Sequence, residues 1–357
     1  MATVPAAIIM TAIPAGVAVA ATQSSTSAGG ADHQYIVILH NQNSGIRAQS
    51  AARRTAVANE QKPVLSQLHT VGGREVGSTS LVNAIVVNAT ASQAQTLAGN
   101  SAVATVVPNQ VIPGPTLPTV QAPAGPLAPT AGALAAPGLC GTRGHPQPNP
   151  EALFPINAVQ ANQSGADGAG VTVAAIADGL DPANPDFQHN AAYASAGSAA
   201  GSPVVTQVDF SGDPAGVPTP GGEIFLDASS IAAQGNTAYD LSKFVAPNDP
   251  RRLPNNCDIT ITGDAPGANV LALKVFSENN DTTTSNFLQA INYAVGNGAK
   301  VINESFGSND FPDLAADVIR QADDAAVAAG VTVVASTGDA GATSTIGSPA
   351  TDPNVIG

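Results

Sequence analysis

Short apolar runs alternate with helical segments over the first hundred or so residues. The runs predicted as strands are rich in β-branched and aromatic side chains, which is typical of buried strands. Strands are predicted at 34–39, 74–76, 81–87 and 102–107, and helices at 47–70 and 91–98. Pro63 predicts a kink or a fresh start in the first helix, and Gly99 ends the second. The resulting order β-α-β-β-α-β predicts a small α+β ferredoxin-like unit.

From about residue 158 onward, apolar strands and helices alternate one by one. Strands are predicted at 171–177, 270–276, 300–305 and 331–336, and helices at 285–296 and 314–329. Helices between apolar strands predict a parallel sheet with right-handed crossovers. Ligands of such sheets bind beyond the carboxyl ends of the strands. Polar clusters occur there at Asp178, at 303–307 and at Gly338-Asp339, so we expect the functional site at this edge.

The segment between these two patterns differs from both. Residues 111–138 contain seven prolines and no charged residue. Such a segment cannot bury a core and predicts an extended, semi-rigid tether. We therefore divide the chain into residues 1–30, a unit at 33–110, a Pro/Ala-rich linker at 111–148 and a second domain at 149–357.

Composition excludes some classes of partner. Charged residues are only 11% of the 357 residues, the formal net charge is −14, and there is no basic run. Nucleic acid and anionic membranes are thus excluded as main partners. Residues 1–21 are nearly all small or apolar, and Ala18-Val19-Ala20 suits signal-peptidase cleavage, which predicts secretion. The alternative is a disordered Ala-rich tail.

The two cysteines, Cys140 and Cys257, do not form a CxxC pair, so no zinc site is expected. One disulfide in an oxidising compartment and two free thiols both stay open.

Three segments of the first unit resemble the inhibitor-type propeptide of subtilisins: 35–39 as its opening strand, 82–87 as its central strand and 102–108 as its exit. This resemblance implies that residues 33–110 assist folding and block the active site until they are cleaved off. The alternative is a free-standing ferredoxin-like domain.

The second domain resembles the subtilisin-like serine peptidases at residues 173–182, 263–276 and 331–341. The resemblance implies an α/β fold with a parallel sheet, present here as the amino-terminal part of the domain. It also shows two departures. No histidine follows His189, and Ala177 stands where the family has its triad aspartate. Asp178, one position later, is predicted to be a turn residue because a shift of one position turns a side chain to the other face.

A pair of carboxylates stands where the family has its histidine. Glu223 and Asp227 have i, i+4 spacing and can share one face of a helix. Two close carboxylates do not both ionise readily, so the pair can share a proton and act as a base in acid. Sedolisins, acidic relatives of subtilisin, carry the same Glu-x-x-x-Asp pair. The resemblance implies that Glu223 is the general base and Asp227 orients it. The alternative makes Asp227 a helix N-cap and Glu223 a solvated loop residue.

The same resemblance assigns the rest of the catalytic and binding residues. Asp339 stands at the position of the oxyanion asparagine and donates only when protonated, which implies acid operation; its alternative is a polar turn residue. Substrate-binding residues fall on two strand ends. They are Ser305, Phe306 and Gly307 on one, and Ser336, Thr337 and Gly338 on the other. Phe306 lines or occludes the pocket.

These assignments predict a secreted serine endopeptidase zymogen. Its nucleophile belongs in a Gly-Thr-Ser segment that the sequence does not contain, and the loop residues Ala342-Thr343-Ser344 are not its equivalent. The chain is therefore expected to be truncated before the catalytic serine and inactive as written. No cofactor is expected in this chain, and any calcium site belongs to the carboxyl-terminal part. Partners are protein or peptide substrates and the chain's own propeptide. The alternatives are a pseudopeptidase that binds peptides or inhibits, and a purely structural protein.

Overall fold

The computed structural model of the protein describes residues 33–114, 140–148, 153–193, 201–213, 222–244, 253–307, 317–338 and 346–357. Within these ranges the strands are β1 (His33–Leu39), β2 (Arg74–Thr79), β3 (Ala84–Ala89), β4 (Val103–Pro108), β5 (Val111–Pro113), β6 (Gln147–Pro148), β7 (Thr172–Ala177), β8 (Val205–Asp209), β9 (Gln234–Asp240), β10 (Asp258–Thr262), β11 (Asn269–Lys274), β12 (Asp281–Thr283), β13 (Val301–Glu304) and β14 (Thr332–Ala335). The helices are α1 (Ala51–Thr70), α2 (Ala91–Ala98), α3 (Ala158–Gln163), α4 (Glu223–Ala232), α5 (Thr284–Gly296) and α6 (Val318–Ala328).

The first unit is an antiparallel sheet of order β2-β3-β1-β4 with α1 and α2 in the predicted β-α-β-β-α-β order. Its first strand is buried on both faces. Val37 and Leu39 join the core formed with α1 and α2, whereas Ile36 and Ile38 join the core that contains α5 and α6. Because successive side chains of a strand point to opposite faces, this double burial accounts for the unbroken apolar run.

Two predictions for this unit need correction. Helix α1 runs without interruption through Pro63, which lies on its exposed face, where water can reach the carbonyl group that the proline leaves free. Strand β3 begins at Ala84 rather than at residue 81, because Leu81 and Val82 lie in the turn before it. Both side chains are nevertheless buried, which is why they resemble strand residues in the sequence.

The second domain is built on a parallel sheet of order β14-β13-β7-β11-β8, as predicted. Strand β7 lies at its centre and is buried on both faces. Ala174 and Ile176 pack with α5 and α6, and Ala175 and Ala177 pack with α4. The sheet therefore lies between two helical layers, and the carboxyl ends of its strands share one edge. Helix α6 begins at Val318 rather than at the predicted residue 314.

The predicted linker is ordered at both ends. At one end, β5 pairs antiparallel with β12 of the second domain. At the other, β6 pairs with β10, and Cys140 forms a disulfide with Cys257, 117 residues away. The disulfide decides between the two alternatives that the sequence left open. Residues 115–139 lie outside the described part of the chain.

Candidate active site

Asp178 lies directly after β7, at the carboxyl edge of the sheet, and caps helix α4. Its Oδ2 accepts hydrogen bonds from the backbone N–H groups of Gly222 at 2.6 Å and Glu223 at 3.2 Å, and its Oδ1 accepts from Ile224 at 2.8 Å. Only 5% of the residue is exposed. The interpretation of Asp178 as a mere turn residue was therefore incomplete, because the first N–H groups of a helix have no partner within the helix and this carboxylate supplies one.

Helix α4 begins at Glu223, with Gly222 as its N-cap residue. Asp227 consequently lies one turn into the helix, which excludes the alternative that made it the N-cap. The i, i+4 spacing places Glu223 and Asp227 on the same face, as predicted. Glu223 is exposed, whereas Asp227 is half-buried.

A hydrogen-bonded chain from β13 holds the Asp227 carboxyl group. Ser305 Oγ donates to Asp227 Oδ1 at 2.9 Å, and Asn303 Nδ2 donates to Ser305 Oγ at 3.1 Å. Asp227 Oδ2 is buried and accepts no hydrogen bond from the described residues. One oxygen is thus fixed, and the other is available to a donor. Ser305, predicted to bind substrate, has a side chain that orients Asp227, and Asn303, which belongs to the predicted polar cluster at 303–307, holds Ser305.

The environment of Asp227 favours its protonated form. Burial raises its pKa to about 6, the hydrogen bond from Ser305 opposes this rise, and the negative charges of Glu223 and Asp178 add to it. The nearby amide of Asn303 also lowers this pKa. A carboxyl group that binds a proton at mildly acidic pH, on the same helix face as a second carboxylate, can take part in acid–base chemistry.

The predicted substrate-binding residues lie at two adjacent strand ends. Ser336 N donates to the carbonyl oxygen of Glu304 at 3.0 Å, which brings the end of β14 beside that of β13. Ser336, Thr337 and Gly338 are exposed, and a Cβ added at Gly307 would come within 3.0 Å of the Ser348 carbonyl oxygen. Glycine is therefore the residue that fits at position 307.

Phe306 packs into an aromatic group at this edge. Its ring centroid lies 4.1 Å from that of Phe287, which in turn lies 5.8 Å from that of Phe276. The sequence left open whether Phe306 lines or occludes a pocket, and the structure places its ring against Phe287. Asp339 and Ala342-Thr343-Ser344 lie outside the described residues.

The sequence gives only weak signals for the roles of Asp178 and Asn303. Gly222 has no side chain with which to cap α4, and it stands at φ 119°, so the cap must come from elsewhere in the chain. An aspartate directly after a buried strand is one such candidate. Asn303 belongs to the polar cluster at the end of a predicted strand, but nothing in the sequence pairs it with Ser305 or Asp227.

No group of three or more His, Cys, Asp or Glu side chains in the described ranges is arranged to hold a metal ion. None of the helices there is both long and apolar enough to cross a membrane.

Fold and site together define an α/β protein with a parallel sheet and a carboxylate pair at the carboxyl edge of its strands. The Subtilase family model matches residues 168–357, more than half of the chain. The protein belongs to this family, which confirms the resemblance to subtilisin-like peptidases.

Three curated relatives illustrate the likeness. The minor extracellular protease Vpr of Bacillus subtilis (strain 168) is 30% identical over 203 residues, which are 56% of this chain and 22% of Vpr. Subtilisin E of the same strain is 27% identical over 210 residues, 58% of this chain and 45% of that protein. Subtilisin DY of Bacillus licheniformis is 35% identical over 99 residues, 27% of this chain and 35% of that protein.

Among solved structures, fervidolysin from Fervidobacterium pennivorans, described as a keratinolytic enzyme related to subtilisin, is similar in fold. The TM-score is 0.50 at 17% identity, over 91% of this chain and 43% of fervidolysin. This likeness confirms the predicted fold class. The chain spans less than half of the length of each of these four relatives.

Proposed function

We propose that this chain belongs to a secreted serine-type endopeptidase, made as a zymogen, that uses a carboxylate as its general base. The observation that carries the proposal is the fixed Asp227. One of its oxygens is held by Ser305, and burial raises its pKa to about 6, on the helix that also carries Glu223. No histidine follows His189 to serve as the base instead.

In the proposed reaction, Glu223 takes the proton of the nucleophilic serine hydroxyl while the serine oxygen attacks the peptide carbonyl carbon. Asp227 orients Glu223, and protonated Asp339 donates a hydrogen bond to the oxyanion. The proton then passes from Glu223 to the leaving amine, the C–N bond breaks, and an acyl-enzyme forms. Water hydrolyses the acyl-enzyme by the same proton transfers. The serine is expected in a Gly-Thr-Ser segment that the printed sequence does not contain.

The pairing between β5 and β12 supports the proposal that the substrates are peptides. Ile112 lies opposite Thr282 in this antiparallel pair, so the backbone of β12 accepts an extended peptide. The Ile112 side chain packs against the core cluster that contains Phe276 and Phe287. An extended substrate with an apolar side chain at the corresponding position would make the same contacts.

The same contacts support an inhibitory propeptide at residues 33–110, followed by β5 at the start of the predicted linker. Besides β5, the unit is held by Asn109, which donates to Ser285 Oγ and accepts from Ser285 N, both at 2.9 Å. Asn292 of α5 accepts from the backbone N–H groups of Ser80 and Leu81, each at 3.0 Å. An occupied β12 would not be free to bind substrate, so this unit would inhibit until it is removed.

Secretion is supported by the Cys140–Cys257 disulfide, since such bonds persist in oxidising compartments. One relative is named an extracellular protease.

A peptide-binding pseudopeptidase is the second candidate. Ala177 ends β7 where the family has a triad aspartate, and the β5–β12 pairing binds extended backbone without any chemistry. This candidate predicts peptide binding without hydrolysis.

The first experiment is to read the coding region past Gly357 and to assay the encoded protein against a peptide substrate between pH 3 and pH 8. With a Gly-Thr-Ser segment present, we expect peak activity near or below about pH 5, and Glu223→Gln to lower kcat by about 100-fold or more. Glu278→Gln, at an exposed carboxylate, is the matched control. Peak activity at pH 8 would contradict the carboxylate base, and binding without hydrolysis at any pH would support the pseudopeptidase.

A further inference from the structure

Helix α4 receives its N-terminal cap from a residue of the central strand of the sheet. Its own N-cap residue, Gly222, makes no side-chain hydrogen bond. Asp178 supplies the acceptors from 44 to 46 residues earlier in the chain, through both carboxylate oxygens and three backbone N–H groups. One of these N–H groups belongs to Glu223 itself, so the cap acts on the residue proposed as the base.

The residue that provides this cap is held rigidly. Strand β7 pairs on one side with β11, up to the pair Ala177 and Lys274, and on the other side with β13. Asp178 follows Ala177 directly and is 5% exposed. The start of α4 is therefore tied to the centre of the sheet, and the direction in which Glu223 leaves the helix depends on this tie.

Asp178 also affects the charge balance of the carboxylate pair. Among the described residues, the groups that act on Asp227 are Glu223 on its own helix, Asp178 directly after β7, and the uncharged Asn303 on β13 and Ser305 directly after it. No cation is among these groups. Burial contributes most to the raised pKa of Asp227, and the charges of Glu223 and Asp178 raise it further.

We propose that Asp178 is a positioning residue of the active site, which fixes the start of α4 beneath Glu223 and adds its negative charge to those that act on Asp227. The proposal rests on the function proposed above in that the pair serves as the base. A purely structural cap would stabilise the helix but would leave the titration of Asp227 unchanged.

Asp178→Asn tests the charge, since it removes the charge and keeps an oxygen acceptor. In the full chain labelled with ¹³C at its carboxyl groups, we expect the NMR titration midpoint of Asp227 to fall by about 0.5–1 unit. We also expect faster hydrogen exchange at the amides of Glu223 and Ile224. Asp181→Asn, at an exposed aspartate of the same strand-end loop, should change neither.

An Asp227 midpoint within about 0.2 unit of the unsubstituted chain, in a folded Asp178→Asn variant, would overturn the proposal. If that variant does not fold, Asp178→Glu takes its place, because it keeps the charge and moves it by one methylene group. The Asp227 midpoint should then stay raised while the Glu223 and Ile224 amides lose protection; unchanged amide protection would overturn the positioning role.

These readouts do not require hydrolysis. If Glu223→Gln leaves peptidase activity unchanged in the encoded protein while Asp178→Asn still lowers the Asp227 midpoint, the proposed function fails and the charge effect of Asp178 stands. If Glu223→Gln abolishes activity and Asp178→Asn leaves both the Asp227 midpoint and the pH profile unchanged, the function stands and the positioning role fails.

Discussion

Side chains at the carboxyl edge of the sheet change the pKa of Asp227 in two opposite directions. Burial and the charges of Glu223 and Asp178 favour the protonated carboxyl group, whereas the hydrogen bond from Ser305 and the nearby amide of Asn303 favour the carboxylate. The resulting pKa of about 6 lies within the range where a small change of environment alters the protonation state. The charge state of the pair is therefore sensitive to single substitutions.

Ser305→Ala removes the hydroxyl that donates to Asp227 Oδ1. Because this hydrogen bond lowers the pKa of Asp227, its loss should raise that pKa further above about 6, by about 0.5–1 unit. The carboxyl NMR titration of Asp227 measures the shift, and Ser305→Thr, which keeps a hydroxyl, is the matched control. A midpoint that falls or stays constant in Ser305→Ala would show that this hydrogen bond does not form in solution.

At the scale of elements, one helix joins the two parts of the molecule. Helix α5 packs on the parallel sheet through Phe287 and Ile291 and belongs to the same core cluster as Ile36 and Ile38 of β1. Its Asn292 accepts two backbone N–H groups from the turn before β3, where Leu81 and Val82 are buried. The turn is thus shaped to fit the helix, and both partners depend on this contact.

Asn292→Ala leaves the N–H groups of Ser80 and Leu81 without their acceptor. We expect a loss of about 1–3 kcal/mol in the free energy of unfolding of the full chain, with faster amide exchange at both residues. Asn292→Asp keeps an acceptor oxygen and is the matched control. Equal stability of the Ala variant and the unsubstituted chain would mean that water satisfies both amides.

For the molecule as a whole, a second carboxyl pair links stability to pH. Glu304 on β13 is 1% exposed and Asp323 on α6 is fully buried. No described residue hydrogen-bonds to any of their four carboxyl oxygens, and two buried carboxyl groups that affect each other's titration can share a proton. Burial raises the pKa of Glu304 to about 8, and burial followed by the charges of Glu304, Asp352 and Asp317 raises that of Asp323. Arg320 lies 3.5 Å from Asp352, at the edge of this group.

Both pKa values are higher in the folded state than in the unfolded state. The carboxyl pair therefore makes its full contribution to stability below about pH 4.5, the ordinary pKa of Glu304, and this contribution is lost as the pH rises through about 8. We expect the unfolding free energy of the full chain to fall as the pH rises from 5 to 8. The double variant Glu304→Gln/Asp323→Asn should lose most of this dependence in thermal unfolding, and Glu278→Gln should keep it. A flat profile for the unsubstituted chain would refute the shared proton.

The order of elements in the first unit, and four strands of the parallel sheet, could be read from the sequence because strand and helix periodicity are local, whereas β8 was not predicted. The β-α-β-β-α-β order, the parallel sheet and the i, i+4 spacing of Glu223 and Asp227 all follow from neighbours within a few residues of one another. Errors arose where a buried side chain was not part of a strand, as at Leu81, or where an exposed helix face tolerated Pro63.

Contacts between distant residues had to come from the folded chain. Asp178 and Ile224 are 46 positions apart, Ser305 and Asp227 are 78 apart, and Cys140 and Cys257 are 117 apart. The two partners of each contact lie too far apart to share one local sequence pattern. Many other pairs of the same residue types could form the same bond, and only the packing of the sheet decides which pair meets. The sequence therefore determines which groups are available for acid–base chemistry, and the packing of β7, α4 and β13 decides which of them meet.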